Sequence, residues 1–301
     1  MPGNSLGGIN IAQIAQEGLR VLSPKLRALK QFTRDFSMDL KSSGESVTTR
    51  VATDLEADDV SGGFTASDAT STPYTITLDK ELGKAHSFTQ AELSKGGMDL
   101  LRRTFLPSIV NAVGKGVIKE VVKLIMNGTF ANKTTVAAAA FTADTVAAIA
   151  TALNNLNVPD SERFGILKPS YYGNLATDDI IQGVNTSGSS EALREHQVRR
   201  LSGFDLAEFN GFPTTGTTAD ENLHGFFGSR EALLIAARFP TMPDQGNDVV
   251  DVENLIEPET GFPLQFQMFY VPKERKWYIA LATLFGVKAG VPNNLHRIVS
   301  V

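Results

Sequence analysis

Apolar residues along the 301-residue chain recur with two different periods, and the changes of period divide it into segments. Ile11, Ile14, Ala15, Leu19 and Leu22 stand at the spacing of one helix face. Ser23-Pro24 restarts the pattern with a capping residue and a proline at the first helical position. Leu26, Leu29 and Phe32 continue the stripe, while Lys25, Arg27, Lys30 and Arg34 fall elsewhere around the helix. Two readings are open: an amphipathic arm that packs on another molecule, or a surface helix of the same domain. Before it, Pro2, Gly3, Gly7 and Gly8 mark a loose tail.

The next stretch alternates. Val47-Thr-Thr-Arg-Val51 and Tyr74-Thr-Ile-Thr-Leu78 read as strands, the second with Tyr74, Ile76 and Leu78 on one face. Between them, residues 58–72 are small, polar and glycine-rich, opening with Asp58, Asp59, Gly62, Gly63 and Phe64. A loop of this length inside a compact domain is uncommon and tends to carry function. It is expected either to cover a substrate or to order on a neighbouring subunit.

Thr89-Gln-Ala-Glu92 has the spacing of a capping box and predicts a short helix, ended at Gly96-Gly97. A long helix is then predicted over 98–127. Leu101, Phe105, Ile109, Val113, Val117, Val121 and Leu124 mark one face, with Arg102, Arg103, Lys115, Lys119, Glu120 and Lys123 mostly on others. Pro107 is a candidate kink, and Asn127-Gly128 a stop. Beyond it the elements shorten. Val146, Ile149, Ala150 and Leu153 predict a helix. Phe164-Gly-Ile-Leu167 predicts a buried strand, followed by Lys168-Pro169 and a helix start at Tyr171-Tyr172. Strands or short helices are expected at 198–209, 226–227 and 232–237, and long strands at 249–256, 264–271 and 277–291. Pro272-Lys-Glu-Arg-Lys276 reads as a hairpin turn between the last two. The fold class is α+β, without internal repeats.

Composition narrows the chemistry. With 42% hydrophobic and 20% charged residues the chain is neither disordered nor membrane-like, and no apolar run reaches the length of a membrane helix. The absence of cysteine removes disulfides, thiolate metal sites and thiol nucleophiles. With no signal-like beginning, the chain is expected in a cytoplasm, and its three glycosylation sequons are read as chance. The formal net charge of −5 lacks the basic excess of a phosphate-binding protein. His86, His196, His224 and His296 are not at metal-ligand spacing and are expected on strands or loops. Asp178-Asp179 is expected to cap a helix, and Asp58-Asp59 to be solvated. Gly114-Lys-Gly116 lies inside the long helix, where it permits close packing and cannot cradle a phosphate. There is no phosphate loop, dinucleotide fingerprint or serine elbow, so no catalytic, cofactor or metal residue is assigned.

Five phrases, in order over about residues 45–301, resemble the major capsid proteins of tailed bacteriophages, the Hong Kong 97 fold. Ala85-His-Ser-Phe-Thr-Gln-Ala-Glu-Leu93 is similar to the strand-to-helix passage after their extended loop. Phe164-Gly-Ile-Leu-Lys-Pro169 with Tyr171, Tyr172 and Leu175 is similar to their strand–proline–helix unit. Leu201-Ser-Gly-Phe-Asp205 through Phe209-Asn-Gly-Phe-Pro213, and Phe226-Phe-Gly-Ser-Arg-Glu-Ala-Leu-Leu-Ile-Ala236, resemble the strands that follow. Trp277-Tyr-Ile-Ala-Leu-Ala-Thr-Leu-Phe-Gly-Val-Lys-Ala-Gly-Val-Pro292 resembles the closing strand. The departure is that no long scaffold-like region precedes residue 40, so any scaffold would be the short arm or a separate protein.

The resemblance implies an N-terminal arm at 1–45 and an extended hairpin loop at 46–85 lying on the next subunit. It implies a peripheral domain at 86–141 and 246–276 around the spine helix 98–127, and an axial domain at 142–245 and 277–301. It implies a non-enzymatic, self-assembling icosahedral shell built of pentamers and hexamers in the virion, formed in the host bacterial cytoplasm. The shell would enclose double-stranded DNA without reading its sequence, assisted by scaffolding, portal and decoration proteins, with no membrane. Assembly contacts are expected at Asp58, Asp59, Gly62, Gly63, Phe64, Arg102 and Arg103. The alternatives are an encapsulin-like nanocompartment shell and an enzyme that uses residues 58–72 as a lid.

Overall fold

The computed structural model describes residues 32–52, 61, 63, 71–127, 130–182, 197–212, 222–241, 249–258 and 260–300. Two six-stranded sheets share a core with one long helix, and a two-stranded hairpin pairs with the strands of neither.

The helix, α1, runs Gln90–Asn127, longer than predicted and without a break at Gly96-Gly97. Its start is the predicted capping box. The Thr89 N–H and hydroxyl both donate to the Glu92 carboxylate at 2.8 Å, and the Glu92 N–H donates back to the Thr89 hydroxyl at 3.3 Å. Each glycine costs a helix interior about 1 kcal/mol and a proline about 3, yet the helix continues through Pro107. The tertiary gain outweighs that cost. Ile109, Val110, Val113, Val117, Ile118, Val121, Val122 and Ile125 are all buried, a wider stripe than the sequence periodicity marked.

The first sheet joins strands from distant parts of the chain. Its order is β1 (Thr33–Lys41), β10 (Leu233–Pro240), β13 (Lys276–Ala289), β12 (Pro263–Val271) and β11 (Val249–Ile256), with β4 (Lys80–Thr89) also on β13. The long β13 organises it. Its residues 276–282 pair with β12, its residues 284–289 with β10, and its residues 276–285 with β4. The predicted turn between β12 and β13 is present, with Arg275 at φ 57°.

Strand β1 is a correction. The helical stripe drawn through Phe32 and Arg34 does not hold there, because Thr33–Lys41 pairs in parallel with β10. Its charged residues find partners that are distant in sequence. Arg34 donates to the Thr260 carbonyl at 2.6 Å, and Asp35 accepts from the buried Arg238 at 2.8 Å. Phe32 packs edge-on against Phe164 at 5.2 Å, and Phe36 against Phe262 at 5.2 Å. The amphipathic stretch before it, residues 11–31, lies outside the described residues.

The second sheet has the order β5 (Lys133–Thr135), β14 (Leu295–Val299), β9 (Leu223–Gly228), β6 (Phe164–Leu167), β8 (Phe204–Glu208) and β7 (Arg200–Leu201). The predicted strand at 164–167 is buried at every position. The helices α2 (Ala143–Asn155), α3 (Pro169–Ala176) and α4 (Asp179–Gln182) cover this sheet with Val146, Ile149, Leu153, Tyr171, Tyr172 and Leu175. Asp178 caps as expected, and does so twice. Its carboxylate accepts from the Ile180 N–H at 3.0 Å and from the Ala143 N–H, at the start of α2, at 2.8 Å. Strands β5 and β14 were not anticipated, since three- and five-residue strands carry too little alternation to register.

Candidate assembly surfaces

The hairpin comprises β2 (Ser46–Ala52) and β3 (Ser71–Thr77), paired antiparallel from Ser46↔Thr77 to Ala52↔Ser71. The register sorts its side chains. Ser46, Thr48, Arg50, Pro73, Thr75 and Thr77 are exposed on one face, whereas Val47, Thr49, Tyr74 and Ile76 take the other. The predicted face of Tyr74, Ile76 and Leu78 is therefore correct, and Ile76 and Leu78 are its buried members.

The seat of the hairpin is well defined. Ile76 and Leu78 form a small core with Leu234, Ala236 and Leu284. Leu78 exchanges backbone hydrogen bonds with the other arm, accepting from Gly44 and donating to Glu45, both at 2.8 Å. Lys288 donates to the Thr75 carbonyl at 2.8 Å. Gly286 is required here, because a Cβ on it would sit 2.1 Å from the Thr77 carbonyl oxygen. Along β10 the faces alternate. Leu234 and Ala236 pack under the hairpin, whereas Leu233, Ile235 and Ala237 belong to the core that contains α1. Hairpin and helix thus occupy opposite faces of the first sheet.

Of the expected contact residues, Gly63 is exposed at φ +112°, a conformation that favours glycine. Asp58, Asp59, Gly62 and Phe64 lie outside the described residues. Arg102 and Arg103 are on α1, with their side chains outside the described set.

A second surface was not singled out from sequence. Between the last turns of α1 and the turn after β8 is an open cleft of about 460 Å³, lined by Lys119, Val122, Lys123, Met126, Asn210, Gly211 and Phe212. Gly211 lets the chain fold tightly under the Phe209 ring, where a Cβ would approach to 2.1 Å. Phe212 is held edge-on between Phe209, at 5.6 Å, and Phe226 of β9, at 6.2 Å. One wall of the cleft is thereby tied to the second sheet. The available signal was the Phe209-Asn-Gly-Phe212 phrase, whose relation to Lys119 only the fold creates. Nearby, Gly116 packs α1 close to β4, where a Cβ would meet Leu82 at 2.9 Å.

His86 is on β4, His224 on β9 and His296 on β14, while His196 lies outside the described residues. His224 stacks on Tyr171 at 5.1 Å with its Nδ1 3.3 Å from the Lys168 ammonium. Burial, helped by that cation, pushes its pKa below 6.5. Burial likewise lowers His296, whose Nε2 is 2.8 Å from the Thr134 hydroxyl. Among the described residues no three His, Asp or Glu side chains cluster as a metal site, and no helix is long and apolar enough to cross a membrane.

Two sheets, a spine helix and a separate hairpin define a class of architecture, the α+β Hong Kong 97 fold of capsid subunits. No protein-family model matches the sequence, and no curated protein is similar to it. Solved structures carry the likeness instead. The capsid of cyanophage P-SCSP1u superposes with a TM-score of 0.59 at 14% identity, over 90% of this chain and 86% of that one. The capsid of Ralstonia phage GP4 gives 0.54 at 12% identity, over 89% and 86%. A virus-like particle from Pyrococcus furiosus gives 0.52 at 13% identity, over 95% and 98%.

Proposed function

We propose that this chain is a major capsid protein that self-assembles into the icosahedral shell of a bacteriophage virion. The observation that carries this reading is the hairpin, whose described residues seat on their own subunit at the base and which is prolonged by an 18-residue segment, 53–70. A two-stranded ribbon is marginally stable in water, so its outer part needs a partner. The fold shared with phage capsids over about nine tenths of the chain supports the same conclusion.

The chain acts by contact and not by catalysis. Pentamers and hexamers form as one heterologous interface repeats until the ring closes. Residues 46–85 reach a neighbour, and Asp58, Asp59, Gly62, Gly63, Phe64, Arg102 and Arg103 contribute contacts. Residues 1–45 act as the arm, although 33–41 also complete the first sheet. Sheet membership suggests a peripheral part of α1 with the first sheet, and an axial part of the second sheet with α2–α4. That division places Leu233–Pro240 and Lys276–Ala289 with the periphery, and Leu295–Val299 with the axial part. The shell assembles in the host bacterial cytoplasm and encloses double-stranded DNA without sequence recognition. Scaffolding, portal and decoration proteins are its partners.

Electron microscopy of the purified chain is the test. Closed shells or five- and six-fold rings are expected, and a lone monomer at high concentration would refute the proposal. Deleting residues 58–70, which spares every rung between β2 and β3, should leave a folded subunit that forms no stable shells. A second reading, an encapsulin-like nanocompartment, is favoured by the match to the Pyrococcus particle. Nuclease-protected DNA inside native particles selects the capsid reading; an enclosed protein cargo selects the compartment.

A further inference from the structure

Two residues in the wall of the cleft beside α1 carry a chemistry that the contacts of the fold leave unused. Asn is followed by Gly twice in the sequence, at Asn127-Gly128 and Asn210-Gly211. Asn127 is the last residue of α1, whereas Asn210 is exposed in the turn after β8. That turn is pinned on both sides. The Phe209 N–H donates to the Leu167 carbonyl of β6 at 2.9 Å, and the buried Phe212 packs against Phe226. Between these anchors, neither the Asn210 side chain nor the Gly211 N–H has a hydrogen-bond partner among the described residues.

An asparagine amide in that setting faces a nucleophile within its own backbone. Gly211 has no Cβ to screen its nitrogen, and the fold excludes one there, since it would approach the Phe209 ring to 2.1 Å. The same cleft brings Lys119 and Lys123 to the turn. Lys123 pairs with Glu120, whereas Lys119 has no ion-pair partner among the described residues. An ammonium group beside the turn favours the deprotonated Gly211 amide. It also favours the oxyanion formed as that nitrogen adds to the side-chain carbonyl. A helical backbone at asparagine, by contrast, disfavours this ring closure, because it holds ψ away from the angle that the ring needs.

We propose that Asn210 is a site of spontaneous covalent modification, converted through a succinimide to isoaspartate and aspartate with assistance from Lys119 and Lys123. The Gly211 nitrogen bonds to Asn210 Cγ and gives its proton to solvent, and the side-chain nitrogen takes a proton from solvent and leaves as ammonia. Water is the co-reactant of the second step, and nothing is oxidised or reduced. It adds across one of the two imide C–N bonds, so the nitrogen regains a proton and the carbon becomes a carboxylic acid that ionises. Cleavage on the Cγ side gives aspartate, and cleavage on the backbone-carbonyl side gives isoaspartate. Either product sets a carboxylate in the cleft of Lys119 and Lys123. Isoaspartate also lengthens the main chain by one carbon between Phe209 and Phe212, which are both anchored, so the turn must shift. The proposal stands independently of the shell reading.

Ageing of the folded full chain in mildly alkaline buffer, followed by trypsin digestion and mass spectrometry, is the test. Asn210 falls in the peptide 201–230 and Asn127 in the peptide 124–133. The first peptide should show the mass gain of an amide-to-acid exchange, and accept methyl groups from an isoaspartyl methyltransferase, ahead of the second. Equal conversion of both peptides, or none in 201–230, would overturn the proposal. Asn210→Gln, whose closure needs a six-membered imide, should abolish the gain in that peptide. A gain that persists would move the reaction to Asn222 and overturn the assignment.

Two further arms separate the fold from the sequence. Lys119→Gln with Lys123→Gln should slow the conversion of Asn210 by about twofold to fivefold, the range of solvent-exposed charge effects, with the circular dichroism unchanged. An unchanged rate would overturn the assistance by the lysines. In chain denatured before ageing, the two Asn-Gly peptides should convert alike. A preference for Asn210 that survives denaturation would assign it to neighbouring residues and overturn the role of the turn and cleft.

Discussion

Strand β9 and the β2–β3 hairpin are built from the same kind of residue pairing but end in opposite conditions. Strand β9 is paired on both edges, by β14 and β6, and its Leu223, Phe226 and Phe227 are fully buried. Strands β2 and β3 form a sheet of their own, with a row of exposed hydroxyls on one face and, among the described residues, Val47, Tyr74 and Ile76 making apolar contact on the other. Within one chain, β9 is paired on both edges and buried, whereas the hairpin strands pair only with each other and bury Ile76 and Leu78 among their described side chains. On the shell reading proposed above, a segment left incomplete by its own subunit is where the chain would meet a neighbour.

The sharpest break of this contrast would come from the shared core. Val117 is fully buried on α1. Val117→Asp would place an unpaired charge there, at a cost of several kcal/mol against a total stability of about 5–15. The variant should express insolubly. Soluble protein that assembles normally would show that this face is not enclosed.

A smaller and more local effect is expected at the hairpin seat. Gly286→Ala presses a methyl group toward the Thr77 carbonyl and should cost about 1–3 kcal/mol. Hydrogen exchange should then accelerate at hairpin amides such as that of Thr75, while β9 amides keep their protection. Equal loss in both regions would mean that the hairpin and the second sheet unfold as one unit.

The smallest effect is a pH dependence on the β9 side. The folded state holds His224 below its ordinary pKa of 6.5 because burial and the Lys168 cation disfavour imidazolium. The unfolded chain therefore binds the proton more readily. This contribution is complete above about pH 6.5 and is lost as pH falls toward the depressed folded value. Denaturant midpoints should drop between pH 7.5 and 5.5, and His224→Phe, which keeps the ring stack on Tyr171, should reduce the drop. An identical drop in both proteins would remove His224 as its source.

The parts of the fold that were legible in sequence are those in which neighbouring residues carry the signal. The α1 register, the alternation of Tyr74, Ile76 and Leu78, the Thr89–Glu92 capping box and the Asp178 cap all depend on residues within about two turns of each other. Strand β1 was illegible for the opposite reason. Its Arg34 and Asp35 look like a solvated helix face until Thr260 and Arg238 are brought to them. The helix break expected at Gly96-Gly97 failed in the same way, since local propensity is a weak preference beside the burial of the α1 stripe from Leu106 to Ile125.

By itself, then, the sequence determined that the chain is an α+β protein with one dominant helix and a polar loop between two strands, with five acids and no basic residue over 53–70. Those properties follow from order and composition, which folding does not alter. The tertiary structure decided which strands share a sheet, that the hairpin and α1 lie on opposite faces of it, and that Lys119 and Phe212 border one cleft. Each of these depends on contacts between residues far apart in the chain, whose pairing is selected by the packing of the whole core and leaves no local trace.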